Sequence, residues 1–564
     1  MKHTAAILAC VFGLFAAAAA ADGVPGQAAA QRLGTTAVNP EHPAPPDATV
    51  DHLDDLGPGS GGPADDTLRH LGLKPVPENL APAPAGNERL KLSVEQAVML
   101  GLENNRSLQV QQLQPVIAST FEDIERAVFD PTVYAEADYS GEQAQQVSRA
   151  TRDVYRVRGN DITISAGVQE TLPTGTDLQL SLKQTRSVST RSPEQDTARV
   201  GLTLTQALLR GAGLKANLAS IRQAQVNTLA SVYELRGFTE NLVATIESTY
   251  WDYVLAKRRI DIYTSALGVA RQQLAETQKR IQVGQLPETE LAAARAEVAQ
   301  RQQDLIDARS SRDSLRLTML QLLNVSSDDD GWSRHINTTS SPELGKPLPM
   351  ASVSDLIALA LRLRPELNQA RLELEHGRLQ VVKTRNGLLP KLDLFLTLGK
   401  SGYTSSFSST VNDIGGPSYD ISAGVRLELP IFNRDAEARH RNAVSTRDQA
   451  RESLENLAQT VSLDVRKAYV EVQRSRDQIK ASAATRSLQE EVLRAEQTKF
   501  RVGNATAFSV AQAQRDMIQS QIGEVEALVT YRKALIDLYR LDGTLLMRQG
   551  IKAPGDKMVN VLAY

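Results

Sequence analysis

The sequence predicts an α+β protein that is built from two tandem repeats of long helices and short strands. A helical motif that opens at Leu92 recurs at Ala351, at a constant offset of 259 residues that Pro131 and Pro390 also keep. Two segments of about 67 residues contain no proline, which is the pattern of very long helices. Runs between the helices alternate apolar and polar residues with the two-residue period of a strand.

Residues 1–21 have the pattern of a secretory signal, with Lys2 and His3 before an apolar run and a small-residue site near Ala21. Attachment of lipid at Cys10 is an open alternative to plain cleavage. Eleven of the 24 prolines fall between Asp22 and Asn87, and this composition cannot bury enough apolar surface to fold. The predicted organisation is a signal (1–21), a flexible leader (22–90), a first repeat (91–325), a connector (326–350), a second repeat (351–545) and a tail (546–564).

Composition excludes several classes of function. The 63 Lys and Arg residues balance 66 Asp and Glu residues, and aromatic residues make up 4% of the chain. A nucleic-acid-binding protein would show a basic surface or stacking platforms. One cysteine and seven scattered histidines cannot form a disulfide framework or a Cys/His zinc site. No Ser/His/Asp arrangement or phosphate-binding loop occurs, so we expect no enzyme activity and no cofactor.

Each repeat has the order helix, strands, very long helix, tight turn, helix. The predicted helices span 93–128, 215–282, 288–324, 352–387, 434–500 and 505–541. At 1.5 Å per residue the two longest would extend roughly 100 Å, and two shorter helices placed end to end would equal one of them. These lengths indicate a tube whose wall combines long continuous helices with pairs of shorter helices placed end to end.

The alternating runs predict strands at 162–168, 178–182, 200–204, 392–398 and 421–429. After the signal no run of 18 apolar residues occurs, so a membrane-spanning form would have to be a closed β-barrel. A soluble sandwich gives the same alternation. The first repeat also has an extra hairpin around Leu172–Gly175, which would either enlarge the sheet or form an external loop.

At residues 90–545 the chain resembles the TolC-like outer-membrane channels of tripartite efflux pumps and type I secretion systems. The resemblance rests on the doubled helix openings, on Gln206–Gly213 after a strand, and on Leu427–Asn433 at the corresponding place in the second repeat. Two Val-Gly turns, Val283-Gly284 and Val502-Gly503, complete the ordered set.

The resemblance implies a homotrimeric outer-membrane β-barrel that continues into a long periplasmic α-helical barrel, with four strands from each chain. It implies outer-membrane lipid, a periplasmic adaptor and an inner-membrane pump or ABC exporter as partners, and no nucleic acid. The function implied is that of a passive exit duct from the periplasm or pump to the exterior. A soluble periplasmic coiled-coil adaptor or scaffold is the alternative, and a secreted hydrolase with a helical stalk is a third reading that no catalytic residues support.

The resemblance also assigns the two helix-turn-helix tips, 280–290 and 499–509, to the periplasmic gate and the adaptor-docking surface. The residues expected there are Val283, Gly284, Gln285, Leu286, Glu288, Glu290, Phe500, Arg501, Val502, Gly503, Asn504, Ala505, Ser509 and Gln512.

Family members close this gate with a Tyr and an Arg on the second tip, bonded to acidic and polar groups on the first, and line it with two Asp. The matching positions of the Tyr and the Arg here are Phe500 and Ala505, which lack the hydroxyl and the guanidinium. The two Asp positions are Ser509 and Gln512, and only Glu290 keeps its acidic role. Three copies of Glu288 and Glu290 in a trimer could replace the ring of Asp side chains that lines the gate. An ion pair of Arg501 with Glu290 could replace the Tyr and Arg contacts that close it.

Overall fold

The computed structural model describes residues 90–147, 152–190, 194–324, 332–343, 350–404 and 412–555. The expected signal, Cys10 and all of the leader except Leu90 lie outside these residues, as do about half of the connector and the end of the tail. The described chain forms two compact units. The sheet unit contains Glu122–Arg222 and Leu379–Val444, and the helical unit contains residues 90–121, 223–378 and 445–555.

The helices are α1 Val94–Asn104, α2 Arg106–Arg126, α3 Leu214–Asn217, α4 Ala219–Gln282, α5 Thr289–Leu323, α6 Val353–Leu363, α7 Pro365–Gly387, α8 Arg434–Arg501, α9 Ala507–Leu541 and α10 Leu545–Arg548. The two long helices, α4 and α8, have 64 and 68 residues. Among the helices of the described ranges, none combines the length and the hydrophobicity needed to cross a lipid bilayer.

The expected single helices 93–128 and 352–387 are each divided in two, at Asn105 and at Arg364. Asn105 interrupts the first because its side chain accepts a hydrogen bond from the backbone N–H of Leu108 (3.0 Å) and so caps α2. Pro365 is the first residue of α7, where its missing N–H costs nothing. The two breaks keep the 259-residue offset, so the division belongs to the repeat itself.

The strands are β1 Leu90–Leu92, β2 Thr132–Val147, β3 Val154–Leu172, β4 Thr176–Ser189, β5 Gln195–Ala207, β6 Ile336–Thr338, β7 Lys391–Thr404 and β8 Tyr419–Glu428. The sheet unit holds a six-stranded antiparallel sheet in the order β2-β3-β4-β5-β7-β8. The sheet of one chain therefore has six strands, two more than the four that the resemblance implies. Strand β2 was not predicted because its alternating apolar positions hold two alanines among Glu, Asp and Ser residues.

The extra hairpin enlarges the sheet, which settles the two alternatives left open by the sequence. Strands β3 and β4 pair from Gly159↔Ser189 to Leu172↔Thr176. Gly175 closes the turn with a φ of 86°, and its N–H donates to the Leu172 carbonyl (2.9 Å). The left-handed conformation suits glycine, since it has no Cβ to clash.

The two faces of the sheet differ in chemistry. One face, called here the apolar face, carries the alternating apolar residues at 133–139, 162–168, 178–182, 198–204, 392–398 and 421–427. The opposite polar face carries mostly Thr, Ser, Asp, Gln, Lys and Arg. On the polar face Arg199 of β5 pairs with Asp420 of β8 through two hydrogen bonds of 3.1 and 2.6 Å. The carboxylate lies over Gly399 of β7, where a Cβ would come within 2.2 Å of it.

The core of the helical unit forms where α1, α4, α5 and the C-terminal part of α9 pack together. Strands β1 and β6 pair in parallel beside this core. The hydroxyls of Tyr250 and Tyr253 donate to the carbonyls of Leu92 (2.9 Å) and Ile336 (3.0 Å), which ties both strands to α4. A second cluster packs α6 and α7 against α8 and α9.

Candidate functional site

The tips that join α4 to α5 and α8 to α9 have the same backbone geometry. Gly284 and Gly503 adopt φ values of 74° and 82°. The N–H groups of the residues that follow them, Gln285 and Asn504, each donate to a carbonyl five residues back at 2.8 Å. These bonds satisfy the last carbonyls of each helix in the Schellman arrangement. Both glycines therefore end their helices in the left-handed conformation.

The helices that leave the tips begin in different ways. Thr506 caps α9, since its side chain accepts from the N–H of Ser509 (3.2 Å). On the first tip Glu288 precedes α5 without a side-chain cap, and Pro287 accepts instead from the N–H of Glu290 (3.2 Å). The first tip therefore keeps the Glu288 side chain free of a capping role, and that side chain is exposed.

One contact connects the two tips. The guanidinium carbon of Arg280 lies 5.0 Å from the centre of the Phe500 ring, within range of a cation–π interaction. Arg280 also pairs with Glu276 one turn earlier on α4 (2.7 Å). Phe500 thus takes part in a contact between the tips although it lacks the hydroxyl of the family's tyrosine. The arginine comes from the first tip rather than from position 505.

The other charged groups of the second tip are engaged locally. Lys499 pairs with Glu496 (2.6 Å), and this hydrogen bond, aided by one from Ser509, lowers the pKa of the Glu496 carboxyl. Arg501 donates to the Thr498 hydroxyl (3.2 Å). Among the described residues of this one chain, Arg501 and Glu290 form no ion pair. Lys and Arg residues in the last turns of α4 and α8 also complement the negative ends of those helices.

Most of the expected site residues are accessible. Val283 and Val502 occupy equivalent positions before the glycines, and each is 69% exposed. Gln285, Glu288, Asn504 and Gln512 are exposed as well, whereas Leu286, Glu290, Phe500, Ala505 and Ser509 are half-buried. The two tips thus expose a valine at the same place in each turn.

The sequence did not identify the polar contacts that lie behind the tips. Gln514 of α9 donates to Gln273 of α4 (2.9 Å), and Arg515 approaches Glu297 of α5 (3.8 Å). These residues line a cavity of about 340 Å³, and six of its thirteen lining residues are alanines. The run Ala292-Ala-Ala294 was the available sign of close helix packing here. In the part of the chain that the structure describes, no three His, Cys, Asp or Glu side chains are grouped to hold a metal.

The family model described as "Outer membrane efflux protein" matches residues 99–325 and 356–544. Among curated proteins the chain is 24% identical to the alkaline protease secretion protein AprF of Pseudomonas aeruginosa, over 47% of this chain and 53% of AprF. The chain thus spans about half the length of that relative. It is 21% identical to the outer membrane efflux protein BepC of Brucella suis, over 67% of this chain and 78% of BepC.

Solved structures show the same fold. The CmeC outer membrane channel of Campylobacter jejuni superposes with a TM-score of 0.61 at 18% identity, covering 80% of this chain and 86% of CmeC. The outer membrane protein VceC of Vibrio cholerae gives a TM-score of 0.58 at 14% identity, with 80% and 96% covered. The two matched segments account for well over half of the sequence, and they correspond to the two repeats. The chain therefore belongs to the outer membrane efflux protein family and is an outer-membrane protein with the TolC-type fold.

Proposed function

We propose that this protein is the passive outer-membrane exit duct of a tripartite efflux pump or type I secretion system, and that it works as a homotrimer. Substrate enters from the periplasm or from an inner-membrane pump, to which a periplasmic adaptor connects the duct. The duct catalyses no reaction and needs no cofactor. Energy for transport comes from the inner-membrane partner.

The observation that carries the proposal is the division of the sheet into an apolar and a polar face. Large side chains of the apolar face are exposed in the single chain, and Tyr139, Ile421 and Leu427 are each 64–68% exposed. Hydrocarbon is the environment that stabilises such a surface, while the Thr, Ser and Asp side chains of the other face require water. A wall between lipid and an aqueous lumen provides both environments.

The two tips supply the gate and the docking surface of the proposed duct. Their exposed valines, Val283 and Val502, present equivalent apolar contacts to an adaptor hairpin. The Arg280–Phe500 contact holds the ends of α4 and α8 together and thereby favours a closed arrangement. Glu288 and Glu290 add negative charge at the same level of the first tip.

Relatives of this chain are named for different cargo. AprF is a protease secretion protein, and CzcC of Cupriavidus metallidurans is a cobalt-zinc-cadmium resistance protein that is 23% identical over 56% of this chain. This range supports a duct whose cargo is chosen by the inner-membrane pump. The alternative of a soluble adaptor has less support, because the sheet would then leave its apolar face in water.

Extraction and mass measurement test the proposal. After expression with its own signal, the protein should stay in the outer-membrane fraction through washes with salt and carbonate. Detergent should release a particle with the protein mass of three chains, and in planar bilayers it should conduct ions. Release without detergent as a monomer or dimer would overturn the proposal and favour the adaptor reading.

A further inference from the structure

The apolar residues of the apolar face form a band across the sheet, and this band shifts along the strands between one edge of the sheet and the other. A single rung of paired residues crosses the sheet through Val133, Val168, Leu180, Leu202, Leu398 and Ile421. The bands of β2 and β3 lie on one side of this rung, and those of β7 and β8 lie on the other side. The bands of β4 and β5 straddle it. The band therefore shifts by about six residues, or roughly 20 Å at the rise of an extended strand.

This drift measures how strongly the strands would tilt in a membrane. The six strands are separated by five spaces, which amount to roughly 24 Å at the usual strand spacing. When the apolar band lies parallel to the plane of a bilayer, a shift of about 20 Å over that width tilts the strands by about 40° from the membrane normal. This tilt lies within the range of outer-membrane barrels. The band is about seven residues long in most strands, which at this tilt gives roughly 18 Å of height, somewhat less than the lipid-facing belt of about 25 Å in outer-membrane barrels. All six strands fit one wall, including β2 and the extra hairpin.

The two edges of the sheet are complementary. In the described chain β2 and β8 each have only one strand neighbour, and an open edge in lipid leaves costly unpaired backbone groups. Because the sheet is antiparallel with an even number of strands, β8 runs opposite to β2. A copy of β2 placed beside β8 therefore continues the antiparallel order without interruption.

We propose that β8 of one copy pairs with β2 of the next, with Ile421 opposite Tyr139 and Leu427 opposite Val133, so that three copies close an 18-stranded barrel. This register keeps the apolar bands of both strands at one level, and it rests on the trimer of the proposed function. Eighteen strands at this tilt enclose a backbone cylinder roughly 34 Å across, about half as wide again as twelve would give. The resemblance by itself implies twelve strands.

Disulfide trapping between neighbouring copies tests the register. On the polar face the proposed pairing sets Ser422 of β8 opposite Asp138 of β2, at the spacing a disulfide needs. Ser422→Cys combined with Asp138→Cys should give covalent trimers after mild oxidation in the outer membrane. Substitution at 136 or 140 in place of 138 detects a slip by two residues, the smallest slip that keeps the two faces of the sheet apart. Within one chain β8 and β2 are separated by four strands, so any such disulfide joins two copies.

The controls separate the possible outcomes. Ser422→Cys alone should give no covalent trimer, which also covers the natural Cys10. Pairing Ser422→Cys with cysteine at 181, 183 or 185 of β4 tests a twelve-stranded barrel that excludes β2 and β3. Cross-linking through β4, no cross-linking in a particle of three-chain mass, or closed covalent dimers would each overturn the 18-stranded barrel. A monomer by mass in detergent would instead overturn the proposed function.

Discussion

The guanidinium of Arg280 stacks on the ring of Phe500 and so couples the ends of α4 and α8. At a half-exposed site such a contact contributes about 0.5–1 kcal/mol. Because the contact favours the closed state, Arg280→Gln or Phe500→Leu should raise the fraction of time that the channel is open by roughly 2- to 5-fold. Single-channel recording in planar bilayers measures this change.

A double-variant cycle identifies the contact itself. Arg280→Gln combined with Phe500→Leu should open the channel no further than either change alone, because both remove the same interaction. Arg271→Gln, an exposed arginine on the same helix, serves as the matched control and should leave gating unaltered. Fully additive effects of the two tip variants would argue that the residues act separately.

The resemblance matches Glu290 with the acidic residue of the family's gate, and we propose that it has this role here. Glu290→Gln should lower the preference for cations over anions, since three negative charges leave the proposed entrance. Reversal potentials across a salt gradient give the preference directly. Glu455→Gln, an exposed site elsewhere on α8, is the control, and an unchanged reversal potential for Glu290→Gln would remove this residue from the gate.

Two buried carboxyls make the helical unit sensitive to pH. Burial raises the pKa of Glu247 to about 7, and burial outweighs Arg236 in raising that of Glu240 to about 7 as well. The folded protein thus holds protons that the unfolded chain releases near its ordinary value of 4.5. Their stabilising effect is fully present below pH 4.5 and is lost as the pH rises through 7.

We therefore expect thermal unfolding to occur at a lower temperature at pH 8 than at pH 6. Glu247→Gln should reduce this difference and raise the stability at pH 8 by about 1–2 kcal/mol. Calorimetry at the two pH values checks both points, with Glu455→Gln again as the exposed control. An equal response of Glu247→Gln and the unaltered protein would contradict the assignment.

Arg236 is completely buried and holds the C-terminal segment in place. Its guanidinium pairs with Glu240 (3.0 Å) and donates to the carbonyls of Gly543 (3.0 Å) and Gly555. Arg236→Met should destabilise the protein by about 3–5 kcal/mol, because Glu240 loses its charged partner in a dry site. Adding Glu240→Leu to Arg236→Met should recover part of that loss in denaturant unfolding. A double variant less stable than Arg236→Met would show that the ion pair is not the source of the cost.

The sequence predicted the repeat, the long helices and the tip turns, because proline-free periodicity and glycine placement are local properties. Asn105 and Pro365 are local signals too, but an unbroken apolar periodicity across them obscured the helix breaks. Strand β2 escaped prediction since alanine contributes little to an alternating pattern. The Arg280–Phe500 contact could not be found from sequence, because only the packed helices bring residues about 220 positions apart together.

The pairing of β5 with β7 joins the two repeats and implies an order of folding. Gly201 and Gly399 are partners across this seam, whereas β3 and β4 are connected by a three-residue turn. Closing a loop of about 200 residues costs about 3–4 kcal/mol more entropy than closing a short hairpin. We expect strands β2 to β5 to pair first as the exported chain emerges, and β7 and β8 to join after the intervening helices have formed. Until β7 joins, the edge of β5 that it will cover has unpaired backbone N–H and C=O groups, which can pair with other chains and cause aggregation. We therefore expect a chaperone to cover this edge before the sheet is complete.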